Sequence, residues 1–194
     1  MTDIELIEAA KKGDSNAFKD LVRRHEGKVA ATVIGMLGNG PEADDVGQEV
    51  FIRFYKNLNQ FKGDSTLGTY LTRIAINLSL NAIKRKKRHH FISLNWKDNE
   101  PMELPDPDAE IQLNEDSEIV HQAIQKLDPN FRSVVVLRFM EGYSTRETAE
   151  ILNLPEGTVL SRLSRAQKKL KIYLAPYFGA NHENKTIQSA AAVA

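Results

Sequence analysis

Arginine can grip a guanine edge through two parallel hydrogen bonds, whereas lysine is a point charge better suited to phosphate. Both stand close together late in the chain, as Arg162, Arg165, Lys168 and Lys169, just after Thr158 and Ser161. At these spacings Thr158, Ser161, Arg162 and Arg165 fall together near the start of one helix, where a major-groove reader carries its base-contacting side chains. A second set lies earlier: Asn77, Asn81, Lys84 and Arg88 share one helical face, with Arg73 one turn before them. Amides that pair with base edges are thus aligned with cations that hold a sugar-phosphate backbone. A third set, Asp44, Asp45, Gln48, Glu49 and Arg53, offers a charged, hydrogen-bonding surface of the kind that recognises a basic partner. Acids at a helix start are also favoured simply by the helix dipole. They have no companion histidine, glycine-rich phosphate loop or nucleophile, so no enzyme is expected.

The whole-chain numbers constrain the setting of these residues. A chain of 194 residues holds one medium domain or two small ones. It has no cysteine, which excludes a disulfide scaffold and a thiolate zinc site and suits a reducing compartment. His25, His89, His90, His121 and His182 show no ligand spacing, so neither a metal nor a cofactor is expected. The start, Met1-Thr2-Asp3-Ile4-Glu5, is acidic and does not read as a signal peptide, and no apolar run reaches the roughly 20 residues of a bilayer span. No membrane insertion and a cytoplasmic location follow as expectations. The net charge is zero, which by itself argues against nucleic acid. Charge is nevertheless segregated: residues 84–88 and the charges of 162–171 are wholly basic, while those of 98–118 are wholly acidic.

These residues need helices to position them, and helical periodicity dominates, so the fold is predicted to be all-α. Asp14 is placed to cap a helix carrying Phe18, Leu21, Val22, Val29, Val33 and Leu37 inward, ended by Gly38-Asn39-Gly40-Pro41. A second helix is predicted over 42–58, burying Val46, Val50, Phe51, Phe54 and Leu58. After a turn at 61–65, a third carries Leu67, Tyr70, Leu71, Ile74, Ala75, Leu78 and Ala82. With a short helix at the start, these make a bundle over 1–90. Prolines and acids mark 91–117 as a flexible acidic linker. A second domain is predicted over 118–175. Within it Asp128-Pro129 opens a helix, Ser144-Thr145-Arg146-Glu147 has capping-box spacing, and a last helix over 156–174 is stopped by Pro176. The remainder, 176–194, reads as a flexible tail.

A lone basic helix is more often a solvated face than a DNA reader. Here the capping box, a small Ala149 at the crossing, Asn153 in the turn and the divided second helix point together to a helix-turn-helix. Glu141-Gly142-Tyr143-Ser144-Thr145-Arg146-Glu147-Thr148-Ala149, followed by 155–166, resembles the C-terminal promoter-reading domain of extracytoplasmic-function sigma factors, a group of the bacterial sigma-70 family. The resemblance implies that Thr158, Ser161, Arg162 and Arg165 read the minus-35 element, that Lys168 and Lys169 serve its phosphates, and that Arg138 adds a contact. Leu160 stands where many relatives carry lysine or arginine, a departure expected to shift the preferred sequence.

The first half resembles the same family. Ala43-Asp44-Asp45-Val46-Gly47-Gln48-Glu49-Val50-Phe51 is similar to the helix that docks on the largest polymerase subunit, which implies that Asp44, Asp45, Gln48, Glu49 and Arg53 bind polymerase. Gly47 in its interior costs about 1 kcal/mol relative to alanine and reads either as a close approach or as a local weakness. Residues 61–65 and 69–81 resemble the minus-10 reading and strand-opening segment. That implies minus-10 contacts by Phe61, Arg73, Asn77, Asn81, Lys84 and Arg88, with Phe61 as an aromatic wall for an unpaired base. Tyr70 replaces a frequent tryptophan and is expected to pack the core. The implied partners are core RNA polymerase, promoter DNA and an anti-sigma factor, and the acidic connector is implied to enter the polymerase channel. The competing reading is a helix-turn-helix regulator that never becomes a polymerase subunit. A second nucleic-acid face joined to a polymerase-docking helix argues against it.

Overall fold

Two of the four free N–H groups at the start of the helix that opens at Ser15 are satisfied by one carboxylate. Asp14 Oδ1 accepts from the N–H of Asn16 (2.9 Å) and of Ala17 (3.2 Å), a cap worth about 1 kcal/mol. The helix runs from Ser15 to Leu37 and stops at Gly38, whose φ of 84° only glycine adopts without strain. In the computed structural model, residues 1–94 and 115–178 are described. The N-terminal unit comprises α1 (Asp3–Lys11), α2 (Ser15–Leu37), α3 (Pro41–Lys56), a 3₁₀ turn (Leu58–Gln60) and α4 (Leu67–Leu94). Their apolar stripes meet in one core around Leu6, Leu21, Val33, Val50, Phe54, Leu71 and Ala75. Tyr70 packs against it, edge-on to Phe54 and Phe61.

The C-terminal unit comprises α5 (Glu115–Gln125), α6 (Pro129–Val135), a π-helical turn (Val136–Met140), α7 (Thr145–Leu152) and α8 (Glu156–Phe178). Ile124, Leu127, Val135 and Ala166 form one layer, and Val134, Ala149 and Val159 form another at the α7–α8 crossing. All described elements are helices, so the chain is all-α with two small helical units.

Three sequence expectations need correction. The second helix ends at Lys56, and Leu58 is buried by the 3₁₀ turn that follows. Asp128 occupies the cap position of α6 without a side-chain cap bond. Pro176 does not stop α8, which continues to Phe178. A proline there removes only one bond of the final turn. Of the connector expected over 91–117, residues 91–94 continue α4, 115–117 open α5, and 95–114 lie outside the described residues, as do residues 179–194 of the expected tail.

The two units pack against each other. Met36 and Ile76 of the first and Val136, Leu137, Tyr143 and Ile151 of the second form a buried seam. At its edge Arg132 is buried, and its guanidinium donates to the carbonyl oxygens of Met36, Gln125 and Leu127 and to Gln125 Oε1. Gln125 Nε2 donates to the carbonyls of Gly35 (2.9 Å) and Ile34 (3.3 Å). The carbonyl ends of α2 and α5 thus converge on one cation, the favourable sense of the helix dipole.

Candidate nucleic-acid and polymerase interfaces

The helix-turn-helix is built by local chemistry. The Ser144 N–H donates to Glu147 Oε2 (2.8 Å) and the Glu147 N–H to Ser144 Oγ (3.2 Å), closing the capping box that opens α7. The bonds from Ser144 hold the Glu147 carboxyl below its usual range. Asn153 takes the left-handed conformation (φ 53°, ψ 53°), which lets the chain turn into α8. Val159 and Ala166 are buried beneath, so the opposite side of α8 is left to solvent. Ser161, Arg165 and Lys168 are exposed there, while Thr158 and Arg162 are half-buried on its flank. The Ser161 hydroxyl donates to the Thr158 carbonyl (3.0 Å). Lys169 leans toward Asp128 at 3.9 Å. Arg138 is not brought to this face: it is half-buried and its guanidinium donates to the Tyr143 carbonyl, bracing the turn before α7. Leu160 is 54% exposed.

On α4, burial of Leu71, Ala75, Leu78 and Ala82 turns Asn77, Asn81, Lys84 and Arg88 outward, and all four are exposed. Arg73 is exposed and donates to the Glu150 carbonyl on α7 (3.3 Å). Phe61 is half-buried, its ring 5.1 Å from Tyr70 and its carbonyl accepting from Lys11 Nζ (3.4 Å). That anchors the loop and leaves part of the ring toward solvent.

On α3, Ala43, Val46, Val50 and Phe54 are buried and Asp44, Asp45 and Gln48 are exposed. Glu49 and Arg53 pair along the helix (Oε1 to Nε, 2.8 Å). A Cβ at Gly47 would meet nothing within 4 Å, so no close approach requires this glycine. The sequence reading missed Ile52, 45% exposed, and Tyr55, 60% exposed, which continue the Asp45 and Gln48 face at helical spacing. A helical wheel alone identifies them, since buried Val50 and Phe54 leave them on the opposite side.

One flank of α4, which includes Lys84 but not Asn77, Asn81 or Arg88, lies across from the start of α8. A groove of about 480 Å³ has Leu80, Ile83, Lys84 and Lys87 on one side and Thr158, Ser161, Arg162 and Arg165 on the other.

Two family models match the chain: sigma-70 region 2 over residues 21–89 and sigma-70 region 4 over residues 117–170. The first takes in α3 and most of α4, the second the helix-turn-helix. The extracytoplasmic-function (ECF) RNA polymerase sigma factor SigW of Bacillus subtilis is 37% identical over 85% of this chain and 92% of its own. The ECF RNA polymerase sigma-E factor of Escherichia coli is 34% identical over 91% and 96%. Among solved structures, CnrH in complex with the cytosolic domain of CnrY matches 90% of this chain and 98% of its own, at TM-score 0.63 and 25% identity. The sigma factor RpoE of Bartonella quintana, in complex with the anti-sigma factor NepR, matches 81% and 96% at TM-score 0.64. At 22% identity that likeness supports the fold alone. The chain belongs to the sigma-70 family, in its extracytoplasmic-function group. It is a sigma factor that directs promoter-specific initiation by RNA polymerase, and the stand-alone regulator is not favoured.

Proposed function

We propose that this sigma factor divides its work among three helices. α8 enters the major groove of the minus-35 element, with Arg162 and Arg165 toward base edges, Thr158 and Ser161 beside them, and Lys168 and Lys169 toward phosphates. α4 takes the minus-10 element: Asn77 and Asn81 pair with unpaired bases, Arg73, Lys84 and Arg88 hold the strand, and Phe61 forms an aromatic wall. α3 docks on core polymerase through Asp44, Asp45, Gln48, Glu49 and Arg53, joined by Ile52 and Tyr55. Arg138 positions the turn before α7. The observation that carries the reading is two separate exposed faces on one neutral chain, each combining hydrogen-bonding side chains with cations, beside an acidic face on a third helix.

The protein acts in the cytoplasm by binding and positioning, with no reaction of its own. Among the described residues no helix is long and apolar enough to cross a membrane. An anti-sigma factor is a further partner: the similar CnrH is bound by a partner protein's cytosolic domain, that of CnrY. The test is transcription by core polymerase on a promoter library with and without the protein. Enrichment of paired upstream and downstream elements is expected, and enrichment of a single element would overturn the division of labour.

A further inference from the structure

We infer that the groove between α4 and the start of α8 is a binding site for a small nucleotide that carries a di- or triphosphate. Four cations line it, Lys84 and Lys87 from α4 and Arg162 and Arg165 from α8. Among the described residues none of the four has an ion pair or hydrogen bond to a protein side chain. Arg23, Arg53, Arg85 and Arg146, elsewhere on the surface, each stand beside a carboxylate. The one acid that lines the groove, Asp128, leans toward Lys169 at 3.9 Å. Like charges gathered without a counter-charge repel one another, and a multivalent anion relieves that repulsion while gaining charge-assisted hydrogen bonds. Arginine offers phosphate two parallel donors and lysine adds a point charge, so the set suits a run of phosphates better than a single carboxylate.

The rest of the wall has a different chemistry. Leu80, Ile83, Pro129 and Phe131 are half-buried apolar residues, so an anion-binding side adjoins an apolar one. Free phosphate has no use for the apolar side. A nucleotide does: its base stacks on the Phe131 ring, and the exposed Asn130 amide offers a donor and an acceptor to the base edge. The volume of about 480 Å³ lies within the roughly 300–1,000 Å³ of small-molecule sites. Lys87, Asn130 and Phe131 belong to neither DNA-reading face, so promoter reading does not account for them. Lys84, Arg162 and Arg165 serve both uses. On the α8 reading given above, a bound nucleotide therefore competes with the minus-35 duplex for the same guanidinium groups, which ties upstream binding to nucleotide concentration.

The test uses the full chain with GDP and ADP, each carrying a fluorophore on the ribose, followed by anisotropy at physiological salt. Saturable binding of at least one probe is expected, with displacement by the same nucleotide unlabelled. Inorganic pyrophosphate should need about tenfold more to displace it, because it forgoes the base stack. Lys87→Gln should weaken binding by about tenfold, the loss of one charge-assisted hydrogen bond. Lys86 is exposed on the same helix outside the groove, and Lys86→Gln, which removes the same charge, should change affinity less than about twofold. Phe131→Leu keeps an apolar side chain in place and should weaken the nucleotide while leaving the inhibition constant of pyrophosphate unchanged. Absence of saturable binding overturns the proposal. Equal losses from Lys86→Gln and Lys87→Gln overturn it too, since they mark diffuse attraction of a polyanion. Pyrophosphate as effective as the nucleotide overturns the assignment of a base to the apolar wall. A minus-35 duplex should also displace the probe. If it fails to do so while the probe binds, the competition and the α8 assignment behind it fall, and the nucleotide site, which rests on neither, stands.

Discussion

The two cationic helices solve different recognition problems. On α8 the reading residues crowd into the first three turns, directly behind a stiff turn set by the capping box and left-handed Asn153. On α4 they run along a helix of 28 residues, from Arg73 to Arg88, on a face far from either end. A helix that enters a groove at its N-terminal end reads a few base pairs of intact duplex. A lateral track of amides and cations instead follows a strand whose bases have turned out. The difference teaches that exposed charge alone does not define the task. The position of the face along its helix does.

Removing both amides of α4 should break the comparison most severely. Asn77→Ala with Asn81→Ala should preserve minus-35 protection and lose open complex by on the order of 100-fold, taking about 1–3 kcal/mol for each amide pairing. Permanganate reactivity of unpaired thymines beside footprinting measures the two steps separately. Normal opening by this variant would remove both residues from the minus-10 site. Arg165→Ala tests the other side of the comparison: about 1–3 kcal/mol of upstream discrimination should disappear while an engaged promoter still opens. Competition binding of the holoenzyme to matched and mismatched minus-35 sequences reads this directly.

A third variant asks whether α3 belongs with either DNA helix. Asp45→Lys should lower recovery of holoenzyme severalfold in co-purification with core polymerase, at unchanged thermal stability, because Asp45 is exposed and surface changes usually cost under about 0.5 kcal/mol. Unchanged recovery would leave the acidic start of α3 as a dipole effect only.

Legibility in the sequence followed the range of the interaction. Asp14, Ser144 and Glu147 act on backbone groups two or three residues away, so the starts of α2 and α7 can be read from spacing. The α8 and α4 faces can be read for the same reason, since buried Val159, Ala166, Ala75 and Ala82 are local neighbours on the wheel. Pro176 misled because proline forbids a helix interior, and its effect on a frayed last turn is small. The seam could not be read. Gly35 looks like an ordinary weak spot until Val136, about a hundred residues on, is placed against it, and Arg132 looks like one more surface cation in an apolar run. Arg138 resembled a DNA contact on family pattern, but its guanidinium is turned to the Tyr143 carbonyl.

The seam also carries a pH dependence that distinguishes it from the two reading faces. Burial pushes the Glu141 carboxyl above its usual range, against the pull of the Thr32 hydroxyl and the Lys28 charge on α2. A carboxyl raised by burial in the packed seam favours that packing at pH below its unpacked value and loses that contribution as pH rises through its packed value. Thermal stability should therefore fall as pH rises above the ordinary carboxylate range, by at most about 1.4 kcal/mol per pH unit. Glu141→Gln should flatten this dependence. A slope unchanged in that variant would assign it to another group.

The smallest effect sharpens the reading of α8 to a single methyl group. Leu160 is 54% exposed beside Ser161, where the resemblance would place a cation. It cannot hold a phosphate, but an apolar side chain on a major-groove helix can cover the C5 methyl of thymine. Removing one such contact costs about 0.8 kcal/mol, roughly fourfold in affinity. Replacing each thymine of the preferred upstream element in turn with deoxyuridine deletes the methyl and leaves every hydrogen-bonding edge intact. Wild-type holoenzyme should weaken at one position only, and Leu160→Ala should be indifferent to the same replacement. If Leu160→Ala keeps the full penalty at that position, the methyl is read by another side chain and Leu160 is merely an exposed apolar residue. If Leu160→Arg gains affinity uniformly, with a steeper salt dependence and no change in thymine preference, the position serves phosphate whichever residue occupies it.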